Sequence, residues 1–206
     1  MQRTPLFLAA IAAIAAAPLV AQMPTTPPGT RTLSKVAAGT YKVDSAHTQV
    51  VFTLNHLGFS EYSGQFTQPT GTLTLDPRDA TKDKVDIVFP IDKVSTTVAA
   101  LDAHLKTADF FDAAKFPEGR FVSTKVTVTG MTATIAGNLT LRGVTKPVVL
   151  NAKFIGAGPS LFGAHKTVVG FSATTSIKRS DFGVNGYLPL VSDKVDLVIN
   201  AGFDAS

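Results

Sequence analysis

Four histidines and no cysteine set the limits of what this 206-residue chain can do at a metal or a nucleophile. Without cysteine there is no thiolate ligand, no thiol nucleophile and no disulfide framework. The histidines that could share an ion are His47, His56 and His104, but their spacings match no local ligand motif. His47 and His56 have opposite parity on what reads as the first strand, so without a bulge they face opposite ways. A serine nucleophile fares no better: no G-x-S-x-G elbow is present, and Gly58-Phe59-Ser60-Glu61-Tyr62 lacks the second glycine. Asp102 and Lys106 stand at the i, i+4 spacing of an ordinary helix-surface ion pair. Asp109 and Asp112 flank Phe110 and Phe111, where they can cap or solvate a helix end. No catalytic residue, metal site or cofactor is therefore expected, and the polar candidates are binding residues. His56 continues the parity of Phe52 and Leu54, so it can meet a ligand's polar end or bond a neighbour as a partly buried histidine. His104 can project beside Leu101 towards an opening or simply complete its turn.

The elements that must carry these side chains are mostly strands, because apolar and polar residues alternate with period two over most of the chain. Val50, Phe52, Leu54 and His56 share one face of the first strand. Further strands read as 72–76, 84–91, 120–128, 132–141, 147–155, 168–178 and 194–203, with 64–67 as a short extra piece. Gly130 and the run Arg142-Gly143-Val144-Thr145-Lys146 punctuate them as turns, and 156–165 reads as a looser loop. One stretch breaks the pattern. Val94, Val98, Leu101, Leu105 and Ala108 step by three and four, which predicts a helix over about 94–111. Phe110 and Phe111 cannot share one helical face, so one is expected to point inward and the other to seal a side.

Residues 1–21 read as a signal peptide: Arg3 is a positive start, 6–17 an apolar run too short to span a bilayer, and Leu19-Val20-Ala21 a cleavage region. Residues 22–39, with MPTTPPGT, read as a flexible Pro/Thr-rich linker, and 40–206 as one β domain. Secretion or a periplasmic location follows, with no stable membrane insertion once the leader is cut. The net charge of +4 comes from scattered basic residues with acids between them. No stripe exists to track a phosphate backbone, so nucleic acid is excluded as a partner. Pairing into a homodimer is left open.

Eight or nine antiparallel strands suit either a barrel or a sandwich. The chain has 14 Phe, 3 Tyr and no Trp, so its aromatic surface is almost free of polar handles. Such a set can line a hydrocarbon pocket or make an ordinary solid core, and composition by itself favours the filled core.

The residues that shift this balance are Tyr41-Lys42-Val43-Asp44-Ser45-Ala46-His47, Phe52 to Gly58, Ser63-Gly64-Gln65-Phe66, Asp102-Ala103-His104-Leu105-Lys106, Ala108 to Asp112, Phe116-Pro117, Gly137 to Val148 and Arg179-Ser180-Asp181-Phe182-Gly183. Together they resemble the YceI family over nearly the whole of 40–204. Tyr41 stands where that family often has Trp, and Leu101 where it often has Arg, which removes a cation beside the helix and leaves Lys106. The resemblance implies an all-β fold, an extended lipocalin-like antiparallel eight-stranded β-barrel with one α-helix packed at it. It also implies a long isoprenoid or similar amphiphilic lipid held in an elongated apolar pocket, for transport, storage or stress protection. An enzyme or metal-binding protein on the same scaffold, or a structural envelope protein with a filled core, are the alternatives. Strand parity then names Phe52, Leu54, Phe66, Leu73, Ile87, Phe89, Leu139, Leu141, Leu150, Phe154, Phe171 and Ile177 as the pocket wall. The helical stretch with Leu101, Leu105, Phe110 and Phe111 is expected at the entrance, with His104 and Lys106 near the ligand's polar end and His56 at the end of its strand.

Overall fold

Period-two alternation produces eleven strands in the computed structural model, which describes residues 24–161 and 166–206. The segment read as a signal peptide lies outside the described residues. The strands are β1 (Gly39–Val43), β2 (Gln49–His56), β3 (Ser60–Phe66), β4 (Thr70–Leu75), β5 (Lys84–Pro90), β6 (Val94–Ser95), β7 (Glu118–Thr129), β8 (Thr132–Leu141), β9 (Val144–Pro159), β10 (Thr167–Lys178) and β11 (Lys194–Ala205). A single helix, α1 (Ala99–Leu105), lies between β6 and β7.

All pairings are antiparallel, and they reduce the eleven strands to eight wall positions. β1 pairs β4 while β2 pairs β3, and β5 pairs β4 while β6 pairs β3, so β1/β2, β3/β4 and β5/β6 are each one wall strand broken in the middle. Polar turn chemistry makes two of the breaks: Asp44 Oδ1 accepts from the Ala46 and His47 amides, and Gln68 adopts a positive φ before Pro69. A 3-10 turn at Ile91–Lys93 makes the third. β11 closes the ring by pairing with β1 through Val43↔Phe203 and with β2 through Phe52↔Leu197. The result is an up-and-down barrel of eight wall strands in chain order, and closure removes the free edges that an open sheet would carry.

Two register shifts adjust the wall. One, between Ser123 and Lys125, moves the inward set of β7 from Phe121 to Val126 and Val128. The other lies where Phe171 pairs Phe154 but Gly170 pairs Gly156. Each inserts an unpaired residue and bends its strand.

The helix expected over 94–111 spans only seven residues. Val94 and Ser95 instead pair with Phe66 and Gln65, since β-branched Val94 serves the barrel wall better than a helix. Asp102 accepts from the Thr96 amide at 2.6 Å and from its hydroxyl at 2.7 Å rather than pairing with Lys106, which ties the helix back to β6. Thr107 Oγ1 donates to the His104 carbonyl at the other end, and turns follow. The expected linker also differs, because its second half is docked: Thr30 pairs with Ala157, and Val36 is only 8% exposed.

Candidate functional site

An elongated cavity of about 480 Å³ runs along the barrel axis, where composition alone favours a filled core. The twelve wall residues named from parity, Phe52, Leu54, Phe66, Leu73, Ile87, Phe89, Leu139, Leu141, Leu150, Phe154, Phe171 and Ile177, all line it. Leu105, Phe110 and Phe111 line it as well. Aromatic rings dominate two levels. Phe66 meets Phe52, Phe89 and Phe111 with centroids 5.7, 5.1 and 5.3 Å apart, and Phe171 meets Phe154 and Phe203 at 5.6 and 6.2 Å.

The lumen stays open because three of these rings are folded against the wall. Phe52 and Phe89 each sit directly opposite a glycine on the next strand, Gly64 and Gly119, while Phe121, paired with Leu139, leans diagonally over Gly137. Each ring occupies the space that a Cβ at its partner glycine would need. The ring lies flat over bare backbone instead of crossing the barrel, which is how an aromatic shields an in-strand glycine.

The two ends of the barrel differ. At one end α1, the turns after it and the connection from β10 to β11 form a floor, with Ile91, Phe182 and Val184 almost wholly buried. Arg179, 5% exposed, holds this floor together. Its guanidinium donates to the carbonyls of Ser192, Val184, Gly186 and Val191 at 2.7–2.9 Å. Burial pushes its pKa down, opposed by the nearby Asp193 carboxylate. Arg142 clasps the same region, donating to Gly183 O and Ala108 O, while its buried Nε has no hydrogen-bond partner among the described residues.

At the other end the rim is exposed and polar. The loop 76–83 contributes Asp76, Pro77, Arg78 and Asp83 to the lining, the β7–β8 hairpin contributes Val128, Gly130 and Met131, and the N-terminal segment contributes Leu33 and Val36. Val128 is 47% and Leu33 41% exposed. Lys82 reaches both Asp76 and Asp79, at 3.2 and 3.4 Å. The Arg78 amide and Lys82 hold the Asp76 carboxyl below its ordinary range, whereas burial pushes Asp83 up. The mouth is therefore here.

That placement corrects the expected entrance. Leu101, His104, Lys106 and His56 are not on the cavity wall. Leu101, on α1, is partly buried and packs against the core cluster. His104 stands edge-on to Phe110 and Tyr187, with Nε2 3.5 Å from Asp109 Oδ2. Lys106 sits at the helix C-terminus on the floor. His56 is exposed at the strand end beside Tyr62, because β2 ends there in a bridge to Val191. The three histidines are not gathered either: His47 pairs with Asp44 at the break between β1 and β2, and no group of three metal-ligating side chains occurs among the described residues.

Parity in β11 was there to be read for Val195, Leu197 and Ile199, which also line the cavity. Val126 and Val128 were hidden by the bulge, and nothing local marks Arg78, Asp83, Leu33 or Val36 as rim residues.

Wall, floor and rim define an up-and-down β-barrel with a hollow apolar interior open at one end. The chain belongs to the YceI family, whose YceI-like domain matches residues 41–203. Protein YceI of Salmonella arizonae is 40% identical over 171 residues, spanning 82% of this chain and 88% of that protein. The crystal structure of the Campylobacter jejuni YceI protein superposes with a TM-score of 0.66 at 31% identity, over 74% of this chain and 90% of that one. The fold is shared with a polyisoprenoid binding domain from Saccharophagus degradans, with a TM-score of 0.59 at 15% identity over 81% of this chain and 98% of that one.

Proposed function

We propose that this protein is an exported carrier that holds one long-chain amphiphilic lipid, of the isoprenoid class, with its tail along the barrel axis and its polar end at the 76–83 rim. The observation that carries this reading is the cavity: about 480 Å³, lined almost entirely by aliphatic and phenylalanine side chains, sealed at the floor and polar at the mouth. Its size lies within the range of small-molecule sites. Each methylene moved from water onto such a wall contributes about 0.8 kcal/mol, so the tail dominates affinity and the wall discriminates little between hydrocarbon chains. The Saccharophagus degradans domain, described as polyisoprenoid binding, supports the choice of ligand class through a shared fold. The leader read at 1–21 supports a periplasmic location. Among the described residues no helix is long and apolar enough to cross a membrane.

The test is to purify the protein from its native envelope fraction and compare its native mass spectrum with that of an organic extract. A lipid adduct that disappears on denaturation and reappears in the extract as a prenyl chain is the expected result. Protein recovered without any lipid, and unable to take up added geranylgeraniol, would overturn the reading.

A further inference from the structure

β9 is longer than its neighbour. Its pairing with β8 ends at Lys153↔Thr132, whereas its pairing with β10 continues to Pro159↔Thr167. The Phe154 amide still donates to the Met131 carbonyl, so the edge left over at the mouth is 155–159, and an unpaired edge is a template for another strand. The N-terminal segment takes that place. The Thr30 amide donates to the Ala157 carbonyl and the Ala157 amide to the Thr30 carbonyl, both at 2.9 Å. Two glycines permit the approach: a Cβ at Gly156 would lie 3.3 Å from Thr30 O, and one at Gly158 would collide with Pro28 O. From this latch the chain crosses the rim. Leu33 and Val36 stand on the cavity wall, and Val36 packs with Tyr41, Leu73, Phe154, Ala157, Val169 and Phe203. Tyr41 Oη donates to the Ala37 carbonyl at 2.7 Å where the segment enters β1.

We propose that residues 30–36 are a strap gating the ligand portal of the barrel, undocking from the β9 edge to let an amphiphile pass between 155–159 and the rim. The strap is the part of the rim that can move without breaking the barrel. The backbone tie of 30–36 to the wall is one bridge, whereas the strands that reach the rim are paired along their ladders. Few paired backbone groups and a short apolar contact place it at the low-stability end of the molecule, where lids are found. The proposal rests on the lipid-binding reading of the cavity.

The test uses the full chain and stopped-flow displacement of dansyl-labelled geranylgeraniol by unlabelled geranylgeraniol, with hydrogen exchange at the Ala157 amide, and at Thr30 in the variants that keep it, reporting strap docking. Gly158→Ala forces the strap off Pro28 without altering a cavity residue. Gly156→Ala crowds Thr30 O more mildly. Gly170→Ala is the control, since its Cβ meets only ordinary contacts at 3.8 Å. Thr30→Pro removes the amide donor of the latch by a separate route. Loss of one such bond is worth about fivefold to tenfold in the opening equilibrium. Displacement is expected to quicken by about that factor in Gly158→Ala and Thr30→Pro, less in Gly156→Ala and not at all in Gly170→Ala, with equilibrium affinity nearly unchanged. Deprotected amides with unchanged displacement rates would overturn the gate. So would amides that stay protected in both variants, since the latch would then not be the contacts described. A wild-type protein that takes up no probe would instead overturn the lipid-binding reading itself.

Discussion

At the residue scale the most consequential side chain is Arg179, whose planar fork serves four carbonyls of the floor at once. A lysine cannot reproduce this, because one ammonium cannot reach Val184, Gly186, Val191 and Ser192 together. Both Arg179→Lys and Arg179→Gln are expected to lower stability by about 3 kcal/mol, since buried carbonyls are left unpaired, and urea unfolding checks this. The Asp86–Arg120 pair shows the other extreme. It is bidentate, at 2.8 and 2.6 Å, but both side chains are more than a third exposed, so solvent screening leaves it little net worth. Arg120 holds the Asp86 carboxyl below its ordinary value of 3.8. Its contribution is therefore present above that value and is lost as pH falls through the lowered one. Urea unfolding of Arg120→Gln and wild type should differ slightly at neutral pH and converge well below 3.8, and a gap that persists in acid would show that the pair is not its source.

At the element scale the glycine and phenylalanine partners set the bore of the barrel. Phe121 lies over Gly137 on the neighbouring strand, and Gly137→Ala crowds both the Val122 carbonyl oxygen and that ring, pushing the ring into the lumen. Overpacking of this kind costs about 1–3 kcal/mol, and here it also narrows the cavity. Denaturation and a geranylgeraniol titration should register both losses together. Adding Phe121→Leu should recover part of each, because the two positions are in contact and their effects are not additive. If Gly137→Ala lowers stability but leaves uptake untouched, the ring has moved elsewhere than into the bore.

At the scale of the whole molecule the barrel has a direction, with a sealed floor beside α1 and a polar mouth beside 76–83. His104→Ala and Lys106→Ala lie outside the cavity and are expected to leave probe affinity within about twofold, less than one ordinary hydrogen bond supplies. Phe171→Asp places a charge on the apolar wall and should abolish uptake while the chain stays folded, as circular dichroism and a binding titration would show. Strong weakening by Lys106→Ala would return the polar end to the helix.

The wall was legible in the amino-acid sequence because the period of a strand is short: Phe52 and Leu54, or Leu139 and Leu141, declare a shared face within three residues. The motifs from Tyr41 to Gly183 made the family resemblance visible for the same reason, since each is a local run. The hollow core was not legible from composition, because fourteen phenylalanines fill a barrel or line it according to where the rings fold, and that depends on glycines in other strands. Nor was the direction of the barrel. An apolar stripe on a short helix reads alike at an entrance and on a floor, and Arg179 reads as one more surface cation until the carbonyls of 184–192 surround it. The docked strap belongs with these. Its Pro and Thr composition is that of a free tether, and only the overhang of β9, produced by register between strands far apart in the chain, provides the edge on which it settles.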